Sequence, residues 1–274
     1  MSAATAADGA FAALAALLRA RSGLALTPDK LYLLETRLAP IMRREKLADL
    51  SALAARVHRP EADELAREVV EAMTTNESLF FRDDKPFAHL RAKALPALFA
   101  ARGAGVKLRI WSAAAATGQE AYSIAMILAE LAEARGRQVE IVATDICRAA
   151  LARARAGLYS QFEVQRGLPV QMLVKHFRKE EAGWRIGEGL RAVIEFREWN
   201  LLDDLAPLGR FDIVFCRNVL IYFDAETKAR VLRAIAARIA PEGFLYLGGA
   251  ESALGPVEGF AAVADERGVY RRLG

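Results

Sequence analysis

The sequence is short of the residues that build metal centres. It contains two cysteines and three histidines (Cys147, Cys216, His58, His89 and His176), and none of them has CxxC, HxH or HExxH spacing. Two cysteines without a motif fit a reducing compartment. We expect all five to be structural or surface residues, and we expect neither a zinc enzyme nor another bound metal.

Long apolar runs and a strong excess of one charge are also missing. No charge-free stretch is long enough to cross a bilayer. The start, MSAATAADGAFAALAALLRARSGLAL, has no basic n-region and carries Asp8, so a signal peptide is not expected. The net charge of +4 results from 38 basic and 34 acidic residues, too mild an excess to argue for nucleic acid. The sequence predicts a cytoplasmic protein with no membrane insertion and no nucleic-acid partner.

What is present is a change of pattern along the chain. Apolar residues at helical spacing predict an N-terminal helical bundle over residues 1–76, followed by a linker and connecting helix over 77–100. From 101 to 274, strands such as VKLRIWSA, VEIVATDI and FDIVFCRNVL alternate with helices, which favours an α/β fold with a mostly parallel sheet. The last stretch, FAAVADERGVYRRLG, predicts a hairpin. A β insert is expected at about 157–199, where GWRIGEGLRAVIEFREWN predicts two short strands around the turn Gly187-Glu188-Gly189.

The second predicted helix, TPDKLYLLETRLAPIMRREK, begins with a Thr cap and a Pro at its first position. It carries Arg37, Arg43, Arg44 and Lys46. These residues form either a solvated face or a docking surface for an acidic helix.

The stretch RIWSAAAATGQEAYSIAM, from Arg109, predicts a strand, a turn and a helix. Its turn matches neither GxxxxGK[ST] nor GxGxxG, which argues against ATP, GTP and dinucleotides. Small residues from Ala113 to Ala116 let the backbone approach a ligand closely, and Glu120 adds a negative charge.

Three further marked positions follow predicted strands: Asp145, Asn200 and the pair Arg217-Asn218. Ligands of open α/β sheets bind at the carboxyl ends of the strands, and an acidic residue there accepts hydrogen bonds from ribose hydroxyls. A nucleoside with a positive charge and no phosphate suits such a site, and S-adenosylmethionine has these properties. Structural interpretations stay open, because Asp145 could cap the following helix, Glu120 could be a first-turn carboxylate favoured by the helix dipole, and Tyr222 could be a core residue.

The motifs TTNESLFFRD, WSAAAATGQEAYSIAM, ATDI, EWNLLD and FCRNVLIYFD occur in the order and spacing of the chemotaxis-receptor methyltransferases, the CheR-type family. The chain resembles this family over nearly its whole length. The resemblance implies a Rossmann-like class I methyltransferase sheet, a small N-terminal helical domain and an inserted antiparallel β hairpin subdomain.

The resemblance also implies roles for individual residues. Those expected to bind S-adenosylmethionine are Asn76, Ser78, Arg82, Glu120, Asp145, Asn200, Leu201, Arg217 and Asn218. The first three would come from the linker and close over the cofactor. Glu120 and Asp145 would hold its amino-acid and ribose portions, and Asn200 and Leu201 would flank the adenine.

Arg82 and Tyr222 would lie near the transferred methyl and are the expected catalytic residues. Two departures from the family pattern are visible. Ser78 stands where Thr is usual, which keeps the hydroxyl, and Gln119-Glu120-Ala121 replaces the commoner Glu-Glu-Pro.

The implied reaction transfers methyl from S-adenosylmethionine to glutamate γ-carboxylates of chemoreceptors, giving methyl esters and S-adenosylhomocysteine without a metal. Receptors would dock on the basic helix through Arg37, Arg43 and Arg44. A receptor-tail pentapeptide should not be required, because the predicted turn at Gly187–Gly189 is short. The alternatives are a methyltransferase of another protein or small molecule, and a non-catalytic module that senses S-adenosylmethionine.

Overall fold

The computed structural model describes residues 3–103, 105–253 and 258–273. It divides into two compact units. The helical unit comprises Met1–Thr75 and Tyr222–Thr227, and the sheet unit comprises Asn76–Ile221 and Lys228–Gly274.

The helical unit contains four α-helices joined by short connections. They are α1 (Ala3–Ser22), α2 (Leu31–Arg44), α3 (Leu50–Val57) and α4 (Asp63–Met73), with 3₁₀ turns at Pro28–Lys30 and Pro60–Ala62. Leu34 and Leu38 lie one turn apart on α2 and are fully buried, as an apolar stripe of helical period requires. The expected N-terminal helical domain is confirmed.

The predicted start of the second helix is wrong by about one turn. Pro28 opens a 3₁₀ turn and α2 begins only at Leu31. The hydroxyl of Thr27 donates to the Asp29 side chain and caps no backbone N–H, so the Thr-Pro pair starts the turn that precedes the helix.

A short segment from late in the chain belongs to the helical unit. Tyr222 accepts a hydrogen bond from the backbone N–H of Ala25 at 2.9 Å, and Phe223 forms an isolated β-bridge with Leu24. Arg19 and Asp224 form an ion pair at 2.7 Å. The segment Tyr222–Thr227 is thus anchored to the residues around the end of α1.

The sheet unit contains a seven-stranded sheet and a separate three-stranded sheet. The strands are β1 (Leu108–Ala113), β2 (Val139–Asp145), β3 (Leu158–Tyr159), β4 (Phe177–Glu180), β5 (Gly183–Ile186), β6 (Ile194–Glu198), β7 (Phe211–Cys216), β8 (Ile239–Leu247), β9 (Phe260–Ala262) and β10 (Val269–Arg272). The large sheet has the order β6-β2-β1-β7-β8-β10-β9, parallel from β6 to β8 and antiparallel at β10 and β9. The expected Rossmann-like, mostly parallel sheet and the C-terminal hairpin are confirmed.

Helices follow or connect most of these strands. They are α5 (Lys85–His89), a π-helical turn at Leu90–Ala94, α6 (Leu95–Ala101), α7 (Gln119–Glu130), α8 (Arg148–Ala156), α9 (Gln161–Gln165), α10 (Val170–His176), α11 (Glu188–Ala192) and α12 (Ala225–Ala236). Strands β1 and β7 are buried almost throughout, which explains why both are nearly continuous apolar runs in the sequence.

The inserted antiparallel subdomain is present, but the predicted turn is wrong. Gly187-Glu188-Gly189 leads into α11, and β5 pairs with β4 and β3 and not with β6. Strand β6 lies at the edge of the large sheet, parallel to β2. The hairpin turn is the two residues Glu181 and Ala182, between β4 and β5. The residues after Gly187 are helical because Leu, Arg and Ala are good helix formers and Glu188 is favoured in the first helical turn.

Candidate cofactor site

The order of the strands reverses between β1 and β7, the place where open α/β sheets bind ligands. The elbow after β1 is wound unusually tightly there. Ala114 and Ala116 have φ of 56° and 48°, a left-handed conformation that costs free energy for residues other than glycine. Such strain persists only where surrounding contacts enforce it, and the backbone N–H groups of Ala115 and Ala116 bond to the end of β2.

Asp145, the last residue of β2, holds two neighbouring backbone segments. Its two carboxylate oxygens accept the backbone N–H groups of Ala116 at 2.7 Å and of Cys147 at 2.9 Å. These bonds fix the β1–α7 elbow and the turn that leads into α8. A carboxylate at the end of this strand is also the group that accepts hydrogen bonds from ribose hydroxyls in open α/β folds.

The loop after β6 lies beside Asp145. The backbone N–H of Trp199 donates to the carbonyl of Asp145 at 3.0 Å. The Asn200 side chain accepts the N–H of Leu202 at 3.0 Å, and Leu201 is buried. The structure therefore brings the two predicted adenine-flanking residues, Asn200 and Leu201, to the end of β2.

Glu120, in the first turn of α7, is held by two side chains. Ser112 donates its hydroxyl at 2.8 Å, and the Arg217 guanidinium lies 3.1 Å from the other carboxylate oxygen. The side chain of Glu120 is only 12% exposed. Burial raises the pKa of this carboxyl above its usual range, and the charge of Arg217 opposes that rise.

Arg217 connects three parts of the chain. Besides Glu120 it donates to the Arg82 carbonyl at 2.8 Å and to the Asp83 carboxylate at 2.7 Å, and its guanidinium carbon lies 5.5 Å from the ring centre of Phe87. Its side chain is 2% exposed, and its Nε is buried without a hydrogen-bond partner among the described residues. This arginine fixes the segment that carries Arg82.

Arg82 itself is half-buried, and its guanidinium has no hydrogen bond or ion pair with any residue in the described ranges. The backbone on either side is constrained. Phe81 and Asp83 have φ of 49° and 69°, and the N–H of Phe81 donates to Ser123 at 2.9 Å. A guanidinium without a partner in the described ranges is thus carried by a loop that Ser123 and Arg217 hold in place.

Asn76 and Ser78, from the predicted linker, are both half-buried. The Asn76 amide donates to the Cys147 sulfur at 3.3 Å, which places it beside the turn that follows Asp145. Tyr222 begins the segment that belongs to the helical unit, and its hydroxyl has no hydrogen-bond partner within the described part of the chain.

One residue of this edge escaped the sequence analysis. Glu251, four residues beyond the end of β8, is 5% exposed and accepts backbone N–H groups from the loop after β7, which contains Asn218. The only signal in the sequence was an acidic residue close after a predicted strand. Asn218 has a φ of 59°, so this loop is also left-handed at its start.

The arrangement fits S-adenosylmethionine. Asp145 places a carboxylate at the strand end where ribose hydroxyls bind, and Glu120 places a buried negative charge where the ligand's ammonium and sulfonium groups would be stabilised. The buried Nε of Arg217 has no hydrogen-bond partner among the described residues. The fold and these side chains together define a Rossmann-like methyltransferase.

Comparison with known proteins specifies the family. The models "CheR methyltransferase, SAM binding domain" and "CheR methyltransferase, all-alpha domain" match residues 76–268 and 9–74. "Chemotaxis protein methyltransferase 1" of Pseudomonas aeruginosa is 41% identical over 253 residues, which cover 90% of this chain and 92% of that protein. "Chemotaxis protein methyltransferase" of Vibrio parahaemolyticus and "Chemotaxis protein methyltransferase 1" of Vibrio cholerae are 39% and 38% identical, with complete coverage of both chains. The chain belongs to the CheR methyltransferase family, and its function is S-adenosylmethionine-dependent methylation in chemotaxis.

The described residues contain no helix whose length and apolar character would allow it to span a membrane. Nor do residues 3–103, 105–253 and 258–273 contain a cluster of three or more His, Cys, Asp or Glu side chains that could hold a metal ion.

Proposed function

We propose that this protein methylates glutamate γ-carboxylates of chemoreceptors, producing glutamyl methyl esters and S-adenosylhomocysteine. The observation that carries the choice of a carboxylate acceptor is the guanidinium of Arg82, which has no partner among the described residues and lies on a fixed loop. A half-buried arginine of this kind is suited to bind a carboxylate, with two parallel N–H donors.

The cofactor is held by the residues at the strand ends. Asp145 accepts the ribose hydroxyls, Asn200 and Leu201 flank the adenine, and Glu120 faces the amino-acid portion. The remaining contacts come from Asn76, Ser78, Arg82, Arg217 and Asn218. When bound, S-adenosylmethionine supplies an electrophilic methyl group on a sulfonium.

The acceptor needs no general base. A glutamate with a pKa of about 4.3 is ionised at neutral pH, so its oxygen is already a nucleophile. Arg82 orients the carboxylate, the Tyr222 hydroxyl donates a hydrogen bond that aligns it, and both help to exclude water. Arg82 orients the carboxylate rather than activating it, because a tight ion pair lowers the nucleophilicity of the oxygen.

The test is incubation with methyl-labelled S-adenosylmethionine and membranes that contain chemoreceptors. Label that alkali releases as methanol supports a glutamyl ester, whereas alkali-stable label on the receptor would indicate N-methylation and contradict the proposal. Arg82→Gln should abolish the ester signal. Arg166→Gln is the matched control, because Arg166 is an exposed arginine paired with Glu77 and should leave labelling unchanged.

Receptor docking is proposed for the basic end of α2, with a smaller set of residues than the sequence predicts. Arg37 is not available, because it donates to the carbonyls of Met73 at 2.8 Å and Thr74 at 3.1 Å and so caps the end of α4. Arg44 pairs with Glu68 and Glu45.

Arg43 is exposed and has no ion pair within the described residues, and Lys46 is exposed two residues beyond the end of α2. We therefore assign the main attraction for an acidic receptor helix to Arg43 and Lys46. Because the methylated glutamates would lie on the cytoplasmic helices of receptors, we also propose a cytoplasmic location.

A receptor-tail pentapeptide is proposed not to be required. The turn that joins β4 and β5 consists of Glu181 and Ala182 alone, so the inserted subdomain has no long loop there to close over a peptide. Strand β4 does lie at an edge of its sheet, and its last three residues are exposed. Equal methylation of receptors with and without the tail would support the proposal, and micromolar binding of the isolated pentapeptide would contradict it.

A further inference from the structure

The carboxylate of Glu251 accepts four backbone hydrogen bonds. One oxygen accepts the N–H groups of Val219 at 3.0 Å and Leu220 at 2.8 Å. The other accepts those of Asn218 at 2.8 Å and Gly248 at 2.7 Å. A carboxylate has about four acceptor positions, so all of its capacity is used by the backbone.

These four donors come from the exits of two neighbouring strands. Asn218, Val219 and Leu220 follow β7, and Gly248 follows β8. Successive N–H groups that converge in this way form an anion-binding concavity. In this protein the chain's own Glu251 fills it, and the charged acceptor makes these hydrogen bonds stronger than neutral ones.

The backbone that Glu251 holds includes one left-handed residue. Asn218 has a φ of 59°, a conformation that is uncommon for residues other than glycine although asparagine adopts it more readily than most. There is no room for a side chain at position 248. A Cβ added to Gly248 would lie 2.7 Å from the carboxylate of Glu251 and 2.8 Å from the side-chain amide of Asn218. Gly248 permits the contact and Glu251 enforces it.

We infer that Glu251 is a positioning residue of the cofactor site, which fixes Asn218 and the loop after Arg217 in the binding-competent conformation. The inference rests on the proposed assignment of Asn218 to the cofactor. It adds Glu251, which acts through the backbone that it binds, and Gly248 to the residues on which cofactor affinity depends.

The test compares two variants at the site with a control on the neighbouring strand β7. Glu251→Gln removes the charge and turns an NH₂ donor toward two N–H groups in either orientation of the amide. Gly248→Ala crowds the same contact without changing charge. Asp212→Asn is the control, because Asp212 is also buried and also accepts a backbone N–H, from Arg109 at 2.8 Å, but lies at the opposite end of β7.

The readouts are the Kd for S-adenosylhomocysteine by calorimetry, the urea midpoint by tryptophan fluorescence, and KM and kcat separately. We expect both site variants to raise the Kd about tenfold and to raise KM for S-adenosylmethionine more than they lower kcat. Asp212→Asn should lower the urea midpoint and leave the Kd within about twofold.

Unchanged affinity in a folded Glu251→Gln protein would overturn the inference. So would a parallel loss of affinity in Asp212→Asn, because the effect would then follow global stability. If Glu251→Gln does not fold, Gly248→Ala decides by the same criteria. The Kd for S-adenosylhomocysteine does not depend on the methyl acceptor. The inference about Glu251 can therefore fail while the proposed reaction holds, and the proposed reaction can fail while the inference holds.

Discussion

Replacement of Arg217 by Met should destabilise the protein, because it removes the contacts that join Glu120 to the segment of Arg82 and Asp83. Arg217 is 2% exposed and bonds to Glu120, to Asp83 and to the carbonyl of Arg82. A methionine keeps much of the apolar stem but leaves Glu120 with Ser112 as its remaining hydrogen-bond partner in the described structure. Truncating one partner of a buried ion pair destabilises a protein by about 3–5 kcal/mol, because the other charge stays buried and unpaired.

The dependence on pH follows from the carboxyl of Glu120. Burial already raises its pKa, and loss of the Arg217 charge raises the pKa further. When the folded pKa lies above the unfolded value of about 4.3, the folded state binds the proton more tightly. Raising the pH then removes stability, so the deficit of Arg217→Met relative to the unaltered protein should be larger at about pH 7.5 than at about pH 5.

A double-mutant cycle that combines Arg217→Met with Glu120→Gln measures the coupling energy between the two side chains. All three tryptophans, Trp111, Trp184 and Trp199, lie in the sheet unit, so their fluorescence in urea reports its unfolding. We expect a coupling energy of about 2 kcal/mol, in the range for buried residues in contact.

The matched control is the pair Arg109–Glu140, with a 2.8 Å contact and side chains 24% and 22% exposed, in which solvent screening should reduce the coupling. A coupling for Arg217 and Glu120 no larger than this control, or a deficit independent of pH, would refute the reasoning.

Three further outcomes are expected. Asp145→Asn should weaken S-adenosylhomocysteine binding about tenfold in calorimetry, because an amide cannot accept all the hydrogen bonds of a carboxylate; unchanged affinity would remove it from the site. Tyr222→Phe should lower the single-turnover rate of methyl transfer more than it lowers cofactor affinity, and an unaltered rate would show that the hydroxyl does not act. Arg43→Gln should reduce receptor methylation more than Arg44→Gln does, since Arg44 is already paired within the protein. The comparison is made at low salt, because exposed charges are screened over about 8 Å at physiological ionic strength. Equal activity of both variants would favour the solvated-face interpretation of α2.

Much of the fold could be predicted because it depends on local periodicity. The buried strands β1 and β7 are apolar runs, and the strand-to-helix elbow before Gln119 is visible in the sequence. The hairpin turn was misplaced for the same reason, since Gly187-Glu188-Gly189 satisfies a local turn pattern. The pairing of β6 is a long-range property that no local pattern shows: β6 pairs with β2 and not with β5.

The availability of a charged side chain was less predictable than its position. The sequence placed Arg37 correctly on α2, but only the structure shows that this guanidinium binds the carbonyls that end α4. Four carbonyls at a helix C-terminus lack intrahelical partners, so an arginine that reaches them is withdrawn from any docking surface. Arg43, six residues further along the helix, remains exposed.

In the cofactor site, too, contacts between residues far apart in the sequence could not be predicted. The family resemblance predicts that Arg217 lines the pocket, but the contact of Arg217 with Asp83 spans 134 positions of the sequence, and no local pattern predicts that contact. Glu251 lies 33 positions from Asn218 and belongs to none of the recognised motifs, yet it accepts the backbone N–H of this left-handed residue. Side chains that touch the ligand recur in recognisable motifs, whereas those that hold the motifs in place are determined by which strand ends the fold brings together. The residues that set cofactor affinity therefore include some that only the folded chain identifies, and Glu251 and Gly248 are the pair on which this can be measured.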